Sequence, residues 1–438
     1  MYVETVDAPT RSVKLTRSKE LLERARELIP GASQTMSKGP SQWAQGVAPA
    51  FLARGAGCRV WDVDGNEYLD FPMALGPVIL GHGHPAVNAA IIAQLEQGIT
   101  FTLPHPLEVD LAERIVQMVP GAERVRFAKS GSDVTSAAVR LARAVTGRER
   151  VIVAGYHGWH DWYIGSTSWR RGVPAHVVEL VDAVRAGDLG GLRAVLERHP
   201  DEVAAVIIEP VGAREPGDGE LQALIDLAHE HGALAIFDEI VTGFRLAPGG
   251  AQELYDVRAD LTCLGKALGN GMPISALAGP ARHMDRLEHI FFSGTHGGET
   301  LSLAAAAATL DVIATEPVNE HLWRQGATLQ EGVRAAIEAH DLADWVSCSG
   351  LPPFTIVAIR EPSPGGELPA KTLLQQELLK RGVLFNGTHL LSYAHREPDI
   401  EQALDAYDEA FAVLSAALPD RVADFLEAAP LGPVFRPL

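Results

Sequence analysis

Short, continuously apolar runs alternate with amphipathic stretches through the middle of the chain. The runs are RVRFA (124–128), RVIVA (150–154), VAAVIIEP (203–210), ALAIFDE (233–239) and LTCL (261–264). Strands that are apolar along their whole length are typical of a parallel sheet covered on both faces, and the helical stretches between them fit its crossovers. The pattern therefore predicts a mostly parallel α/β sheet in the central part of the chain.

The two ends of the chain follow different patterns. Residues 18–29 alternate as an amphipathic helix, and residues 31–57 are rich in Gly, Ser, Pro and Gln and predict an irregular arm. After about Pro317 a long helical stretch leads into an alternating run, which predicts a smaller α+β lobe. We therefore expect three parts: an N-terminal helix and arm (1–60), a large domain (61–317) and a C-terminal small domain (318–438).

Composition restricts the partners and the compartment. A chain of 438 residues fits two or three lobes, and a hydrophobic content of 47% suits a well-packed core. The net charge of −19 argues against nucleic acids and anionic membranes as partners. The three isolated cysteines and an N-terminus without an apolar signal core predict a cytoplasmic, soluble protein.

Two residues that follow predicted strands suggest pyridoxal phosphate (PLP) chemistry. Asp238 ends the run ALAIFDE, and Lys266 follows 28 residues later in a loop of small residues. A lysine whose pKa is lowered can form an imine with the cofactor aldehyde. A carboxylate facing the pyridine nitrogen keeps it protonated, so that the ring accepts electrons. The alternative is that both residues are structural.

Other loops also have a functional and a structural interpretation. Small residues at Ser130–Ser132 precede a predicted helix. In the functional interpretation their backbone N–H groups bind a phosphate. In the structural interpretation Ser132 or Asp133 only caps the helix. Glu209 is either a functional carboxylate or a solvated strand end. The glycine-rich run 293–300 either supplies a phosphate contact through Thr295 or is a turn without a ligand.

The loop after RVIVA, GYHGWHDWYIGSTSW, is unusually aromatic. An aromatic side chain at a strand end can stack on a planar ring. Its histidines have no cysteine or carboxylate cluster near them in sequence, so we expect no metal site. LGHGHPA (80–86) resembles a dinucleotide-binding glycine motif, but no acid ends a following strand, and nucleotide binding is not expected there.

In this order, the motifs resemble those of the class III aminotransferases, in the branch that contains glutamate-1-semialdehyde 2,1-aminomutase. The match covers about residues 20–415 and is carried by DVDGNEYLDF, LGHGHPAV, KSGSDVTSAAVRLAR, YHGWHDW, IIEPV, IFDEIVTGFR, GKALGNGMPISALAG and SGT. The resemblance implies the α/β fold of PLP-dependent transferases, fold type I. In that fold a large domain with a mostly parallel seven-stranded sheet flanked by helices joins a smaller α+β domain built from both chain ends.

The resemblance also implies partners and residue roles. It implies a PLP cofactor, a small-molecule amino donor and carbonyl acceptor, and a homodimer with shared active sites. Lys266 would be the Schiff-base lysine, Asp238 would pair with the pyridinium nitrogen, and Glu209 would stand at the cofactor's edge as a third catalytic residue. Tyr156 would stack on the cofactor ring, and Thr295 would reach the phosphate of the neighbouring subunit. The other implied cofactor contacts are Ser130, Gly131, Ser132, His157, Glu239 and Ile240.

Three segments where the substrate should lie depart from the aminomutase. Lys38 stands where that enzyme has an arginine, and lysine cannot form the planar bidentate clamp on a carboxylate. His296 and Glu299 follow Thr295, and the loop GVLFNGTHLLSYAH lacks a glutamate. These changes favour an aminotransferase that acts by a ping-pong scheme on the carbonyl of a specialised metabolite such as a sugar or cyclitol. The alternative is an isomerase, either an aminomutase or an amino-acid racemase. Candidate substrate contacts are Lys38, Trp162, His296 and His389.

Overall fold

A computed structural model of the chain describes residues 13–362 and 368–432. Contacts divide these residues into two compact units. One unit contains residues 76–322, and the other contains the described residues of 1–75 and 323–434. The expected domain limits near residues 60 and 317 stay a prediction.

The strands and helices of the described residues are numbered along the chain. The strands are β1 (Leu52–Ala56), β2 (Arg59–Asp62), β3 (Glu67–Asp70), β4 (Arg124–Ala128), β5 (Arg150–Ala154), β6 (Val181–Ala183), β7 (Val203–Ile208), β8 (Leu234–Asp238), β9 (Leu261–Leu264), β10 (Ser275–Gly279), β11 (Val346–Leu351), β12 (Phe354–Ile359), β13 (Val383–Leu384) and β14 (Thr388–Leu390). The α-helices are α1 (Thr16–Leu28), α2 (Pro85–Leu95), α3 (Pro106–Met118), α4 (Gly131–Thr146), α5 (Asp161–Ile164), α6 (Ala175–Val178), α7 (Leu189–Arg198), α8 (Glu220–Glu230), α9 (Gly250–Leu254), α10 (Ala281–Met284), α11 (Thr300–Thr315), α12 (Val318–Ala339), α13 (Pro369–Lys380), α14 (Glu397–Ala417) and α15 (Val422–Phe425).

The unit of residues 76–322 is built on a seven-stranded sheet in the order β4-β10-β9-β8-β7-β5-β6. The pairs from β9 through β8, β7 and β5 to β6 are parallel, and β10 runs antiparallel to both β9 and β4. The mostly parallel sheet is confirmed, with one reversed strand that no predicted run contained. Because β4 runs in the same direction as β9, the carboxyl ends of β4, β5, β7, β8 and β9 meet at one edge.

Side chains on both faces of this sheet are buried. In β7, Ala205 and Ile207 belong to a core cluster that includes α4, whereas Val206 and Ile208 belong to a second cluster that includes α7 and α8. Successive side chains of a strand point to opposite faces, so a strand buried on both faces must be apolar at every position. The continuous run VAAVII follows from this double burial.

The other unit joins the two parts of the chain that flank residues 76–322. Its four-stranded sheet has the order β1-β2-β3-β13, and the parallel pair aligns Val383 with Leu69. A second sheet contains β11, β12 and β14. The expectation that segments from both ends of the chain build one smaller unit is therefore confirmed.

Among the described helices, no single one has both the length and the apolar composition of a membrane span. Helices α11 and α12 do so only together, as a pair bent by 74°.

Removing a buried side chain from the large sheet should destabilise its unit. Leu261 in β9 is fully buried, whereas Leu254 in α9 is 39% exposed. We expect Leu261→Ala to lower the free energy of unfolding by about 3 kcal/mol, since the deletion leaves a cavity. The matched Leu254→Ala change should lower it by less than about 1 kcal/mol. Chemical denaturation of both variants measures the difference, and equal losses would contradict the burial of Leu261 in the sheet.

Candidate active site

A cavity of about 340 Å³ lies at the edge where the carboxyl ends of the parallel strands meet. Its polar wall comes from loops that follow β4, β5, β7, β8 and β9, which is where ligands collect in open α/β sheets. The lining residues are Lys129, Gly131, Ser132, Tyr156, His157, Gly158, Glu209, Asp238 and Lys266, together with the mainly apolar Pro77, Ile240, Val241 and 271–274.

A larger groove of about 1250 Å³ shares Lys129 with this cavity. It is lined by α3, β4, α4 and residues 291–298, and it contains neither Asp238 nor Lys266. The smaller cavity contains Glu209 and Lys266, whose pKa values are shifted by burial, and is therefore the better candidate for the site of chemistry.

Asp238, at the end of β8, is held by two hydrogen bonds. Its Oδ2 atom lies 2.8 Å from His157 Nδ1, and its Oδ1 atom accepts a hydrogen bond of 3.2 Å from the backbone N–H of Ile240. Both Asp238 and His157 are buried. Because an ionised carboxylate only accepts hydrogen bonds, Nδ1 of His157 carries the proton in this pair. The histidine thus fixes the orientation of the carboxylate at the cavity.

Lys266 begins the short 3₁₀ turn Lys266–Gly269, which follows β9. Its φ of +39° lies in a region that residues with a side chain seldom adopt, and such strain persists only where the surroundings hold the residue. Burial lowers the pKa of the Lys266 amine and the Arg245 guanidinium acts in the same direction, against the carboxylates of Glu209 and Asp238. A lowered pKa favours the unprotonated, nucleophilic amine.

Glu209 follows β7 and accepts a hydrogen bond of 2.8 Å from the backbone N–H of Tyr156. Burial raises the pKa of its carboxyl, and the charge of Asp238 raises it further. Gly155 has a φ of +115°, and a Cβ atom at this position would lie 2.5 Å from Glu209 Oε2. The glycine therefore provides both the backbone conformation and the space that the carboxylate occupies.

The loop after β4 brings the N-terminus of the 16-residue helix α4 to the cavity. Ser130 caps this helix: its hydroxyl accepts from Asp133 N at 3.3 Å, and Asp133 Oδ2 accepts from Ser130 N at 2.8 Å. Gly131 and Ser132 then line the cavity, and a Cβ atom on Gly131 would lie 2.6 Å from Ile240 Cδ1. The free N–H groups and the dipole of such a helix end favour an anion.

Several predicted site residues lie away from this cavity. Glu239 is fully buried, accepts hydrogen bonds from Thr242 Oγ1 and from the N–H groups of Ala251 and Gln252, and does not line the cavity. Thr295 and His296 are exposed and line the larger groove. Glu239 therefore has the partners of a structural carboxylate, and its predicted cofactor contact has no counterpart in the cavity lining.

Of the predicted substrate contacts in residues 76–322, Trp162 does not line the cavity. Trp162 is buried in the core beside α4, and its Nε1–H donates to Ser136 Oγ at 2.8 Å. Lys38 ends a short 3₁₀ turn, Met36–Lys38, and belongs to the other unit, as does His389. The ring nitrogens of His389 lie 2.8 Å from Thr355 Oγ1 and from the Tyr407 hydroxyl. Both nitrogens are thus occupied within the fold.

Sequence reasoning also missed residues that line the cavity. Lys129 lines the cavity and forms an ion pair of 3.0 Å with Glu299. Its position directly before Ser130, in the predicted phosphate-binding segment, was the sequence feature that could have identified it. The apolar wall of Pro77, Met272 and Ile274 carries no reactive group, so no motif pointed to it. No group of three or more potential metal-ligating side chains occurs in residues 13–362 and 368–432.

Replacing Gly155 should disturb Glu209 directly. We expect Gly155→Ala to lower the free energy of unfolding of the apoprotein by about 3 kcal/mol, because a left-handed backbone and a close contact with Glu209 Oε2 both oppose the new Cβ. Gly172, with a φ of +91° and no atom within 4 Å of the place where a Cβ would lie, is the matched control. Gly172→Ala should lower it by only about 1 kcal/mol. Denaturation curves test this, and equal effects would mean that the contact with Glu209 is unimportant.

His389 should make the stability of its unit fall in mild acid. Burial lowers its pKa from the ordinary 6.5 to about 3, and nearby His395 adds to the effect. Below pH 6.5 the unfolded chain therefore takes up a proton that the folded chain refuses until about pH 3. Stability falls by about 1.4 kcal/mol per pH unit in this window. Between pH 7 and pH 5, His389→Gln should lose about 2 kcal/mol less stability than the wild type. Denaturation curves of the wild type and His389→Gln at pH 7 and pH 5 measure this. Equal losses of unfolding free energy in the two proteins would contradict the prediction.

Comparison with known proteins places these residues in a family. Residues 42–393 match the family model described as Aminotransferase class-III. The chain is 37% identical to glutamate-1-semialdehyde 2,1-aminomutase of Syntrophobacter fumaroxidans, with 90% of this chain and 97% of that protein aligned. It is 32% identical to 3-aminobutyryl-CoA aminotransferase of Cloacimonas acidaminovorans, with 93% and 99% aligned.

A solved structure gives the same result. The PLP internal aldimine form of the FumI protein of Sphingopyxis sp. MTA144 superposes with a TM-score of 0.86 at 32% identity, covering 95% of this chain and 99% of that one. A PLP-bound transaminase superposes with a TM-score of 0.84 at 28% identity, covering 92% and 99%. The chain therefore belongs to the class III aminotransferases, PLP-dependent enzymes of fold type I.

Proposed function

We propose that this enzyme transfers an amino group from an amino-acid donor to a ketone or aldehyde of a specialised metabolite, in two half-reactions of a ping-pong scheme. The observation that carries the proposal is the convergence of Lys266, Asp238 and Glu209 with the N-terminus of α4 in one cavity. A lysine of lowered pKa, an oriented carboxylate and an anion site are the groups that PLP chemistry requires.

The residues of the cavity fit this cofactor. Gly131 and Ser132 at the N-terminus of α4 would hold its dianionic phosphate, and the absence of a side chain at Gly131 keeps that end open beside Ile240. Tyr156, whose ring is half exposed, would supply a stacking surface. When bound, PLP supplies an aldehyde carbon and an electron-accepting ring.

The chain's own groups would then divide the proton transfers. The Lys266 amine, with its lowered pKa, can take a proton from a substrate carbon and return it, which is general base and acid catalysis by one group. Asp238 would hold a proton at the pyridine nitrogen, and the hydrogen bond from His157 would keep its oxygen in place. Glu209, whose pKa is raised, would hold a proton at the edge of the cavity.

The polarity of the cavity wall bears on the class of the acceptor. The predicted sugar or cyclitol class depended on polar contacts that included His389 and on an apolar platform for a ring that included Trp162. Both side chains are buried, and their polar atoms are paired within the fold. In residues 76–322 the cavity wall formed by Pro77, Met272 and Pro273 is apolar. We therefore propose that the acceptor is a carbonyl compound with an apolar portion.

An isomerase is the second candidate, because glutamate-1-semialdehyde 2,1-aminomutases are among the relatives, at 35% to 38% identity. Lys38 argues against an aminomutase, since the resemblance implies that it stands where an aminomutase has the arginine that clamps a substrate carboxylate. The two activities differ in outcome. An aminotransferase releases an oxo product from the donor, whereas an isomerase returns its substrate atoms rearranged and releases no separate oxo product.

We further propose that the enzyme works as a cytoplasmic homodimer. Large apolar side chains are exposed along α2, α3 and the connection between them, notably Ile92, Leu95, Leu103 and Val109. An exposed apolar surface of this kind is typical of a protein–protein interface. Cys58, Cys263 and Cys348 are unpaired thiols, which supports a reducing compartment.

The proposed function is tested by adding amino donors, one at a time, to the PLP-loaded enzyme. A true donor should remove the visible absorbance of the bound cofactor and release its oxo acid in one equivalent per site. Borohydride reduction should attach the cofactor to Lys266, as located by peptide mapping. Lys266→Ala should retain PLP through Gly131 and Ser132 but should lose at least about 10³-fold in turnover.

Three outcomes would contradict this assignment. Attachment to another lysine, or wild-type turnover by Lys266→Ala, would remove Lys266 from the chemistry. A donor that is isomerised without release of an oxo acid would select the second candidate function.

A further inference from the structure

Residues 291–298 line the larger groove, Glu299 precedes helix α11, and basic side chains bind both ends of this segment. Arg140 of α4 donates to the carbonyl oxygen of Phe291 at 2.9 Å, and Arg126 of β4 donates to that of Phe292 at 2.9 Å. At the other end, Lys129 Nζ lies 3.0 Å from Glu299 Oε2. Arg126 belongs to β4, Lys129 to the loop that follows it, and Arg140 to α4. Gly131 and Ser132 are the first two residues of the same helix.

Glu299 is a junction for several hydrogen bonds. Its carboxylate caps α11 by accepting from Leu301 N at 2.6 Å and Ser302 N at 3.3 Å, and it also accepts from Ser302 Oγ at 2.6 Å. Burial opposes its ionisation, but the hydrogen bonds from Ser302 and Lys129 outweigh burial and lower the pKa of the carboxyl. The position of the Lys129 ammonium therefore bears directly on the start of α11.

Lys129 is the residue through which the cavity and the groove communicate. It lines both of them, and its side chain is only 23% exposed. A lysine ammonium has three donors, and the bond to Glu299 uses one of them. The remaining donors are available to an anion at the N-terminus of α4.

We propose that Lys129 and Glu299 form a clip that couples a phosphate monoester bound at Gly131 and Ser132 to the order of residues 293–298. This inference rests on the proposed placement of the cofactor phosphate. A dianion beside Lys129 fixes the ammonium in the position where it also bonds Glu299, so the segment ahead of Glu299 becomes less mobile when the site fills. Lys129 and Glu299 are positioning residues in this device, since the clip acts on a backbone segment.

Amide hydrogen exchange of the full-length apoprotein, with and without PLP, tests the clip. In the wild type, PLP should slow exchange in both 131–135 and 293–298. In Lys129→Met and Glu299→Gln, PLP should still slow exchange in 131–135, but the effect on 293–298 should fall about tenfold. Lys129→Arg retains the charge and should restore the effect. PLP should also bind Lys129→Met about tenfold more weakly than the wild type in an equilibrium titration.

A matched control separates the clip from a general effect on α11. Arg114 of α3 pairs with Asp311 of α11 at 2.8 Å, outside the cavity. Arg114→Met removes a cation paired to the same helix and should leave both exchange effects at wild-type values. Pyridoxal, which lacks the phosphate, should not slow exchange in 293–298 of the wild type.

The possible results are distinct. Equal protection of 293–298 in the wild type and in Lys129→Met would overturn the clip, because the cofactor would then reach the segment by another route, such as Thr295 across a subunit boundary. Protection of 131–135 without any change in 293–298 of the wild type would also overturn it, while leaving the proposed function intact. If PLP did not slow exchange in 131–135, the proposed phosphate site at Gly131 and Ser132 would be wrong, and the clip would be wrong with it.

Discussion

Burial of charge in one small cavity is the constraint around which the central sheet is arranged. Lys266, Asp238 and Glu209 all approach a space of about 340 Å³, and an unpaired charge in such a place is strongly destabilising. The fold accommodates them by giving each carboxylate a donor: His157 and Ile240 N for Asp238, and Tyr156 N for Glu209. Both carboxylates oppose the effect of burial on Lys266, and the net result is a lowered pKa of its amine.

This arrangement requires unusual backbone or close contacts in the segments that follow the strands. Gly155 leaves room for Glu209, Gly131 leaves room for Ile240, and Lys266 itself has a positive φ. These positions contribute little to folding and are expected to cost stability. The double-sided core of the sheet, in which β7 is buried at every position, offsets that cost. The stability that close packing within the sheet provides therefore allows backbone strain at the edge that carries the candidate site.

The sequence predicted the sheet well because double burial leaves an unbroken apolar run, as in β7 and β8. It did not predict β10, whose residues Ser275–Gly279 are small and partly polar, or its antiparallel direction, because direction depends on the connections of the whole chain. The same contrast holds for the candidate site. Lys266, Asp238 and Glu209 meet because each follows a strand that ends at the same edge, and that rule can be applied from the sequence. Whether Trp162 or His389 faces a ligand or a core depends on distant partners, and no local pattern contains that information.

The loop between β4 and α4 has more than one task. It caps α4 through Ser130, precedes the anion site that Gly131 and Ser132 form at the start of α4, and anchors the start of α11 through Lys129. Residues in one hydrogen-bonded network do not respond independently to substitution. A change at Glu299, which touches no predicted cofactor contact, therefore acts on the same loop as a change at Ser132. For this reason the exposed segment beside the groove and the buried cavity form one functional unit, even though Lys129 is the one lining residue that they share.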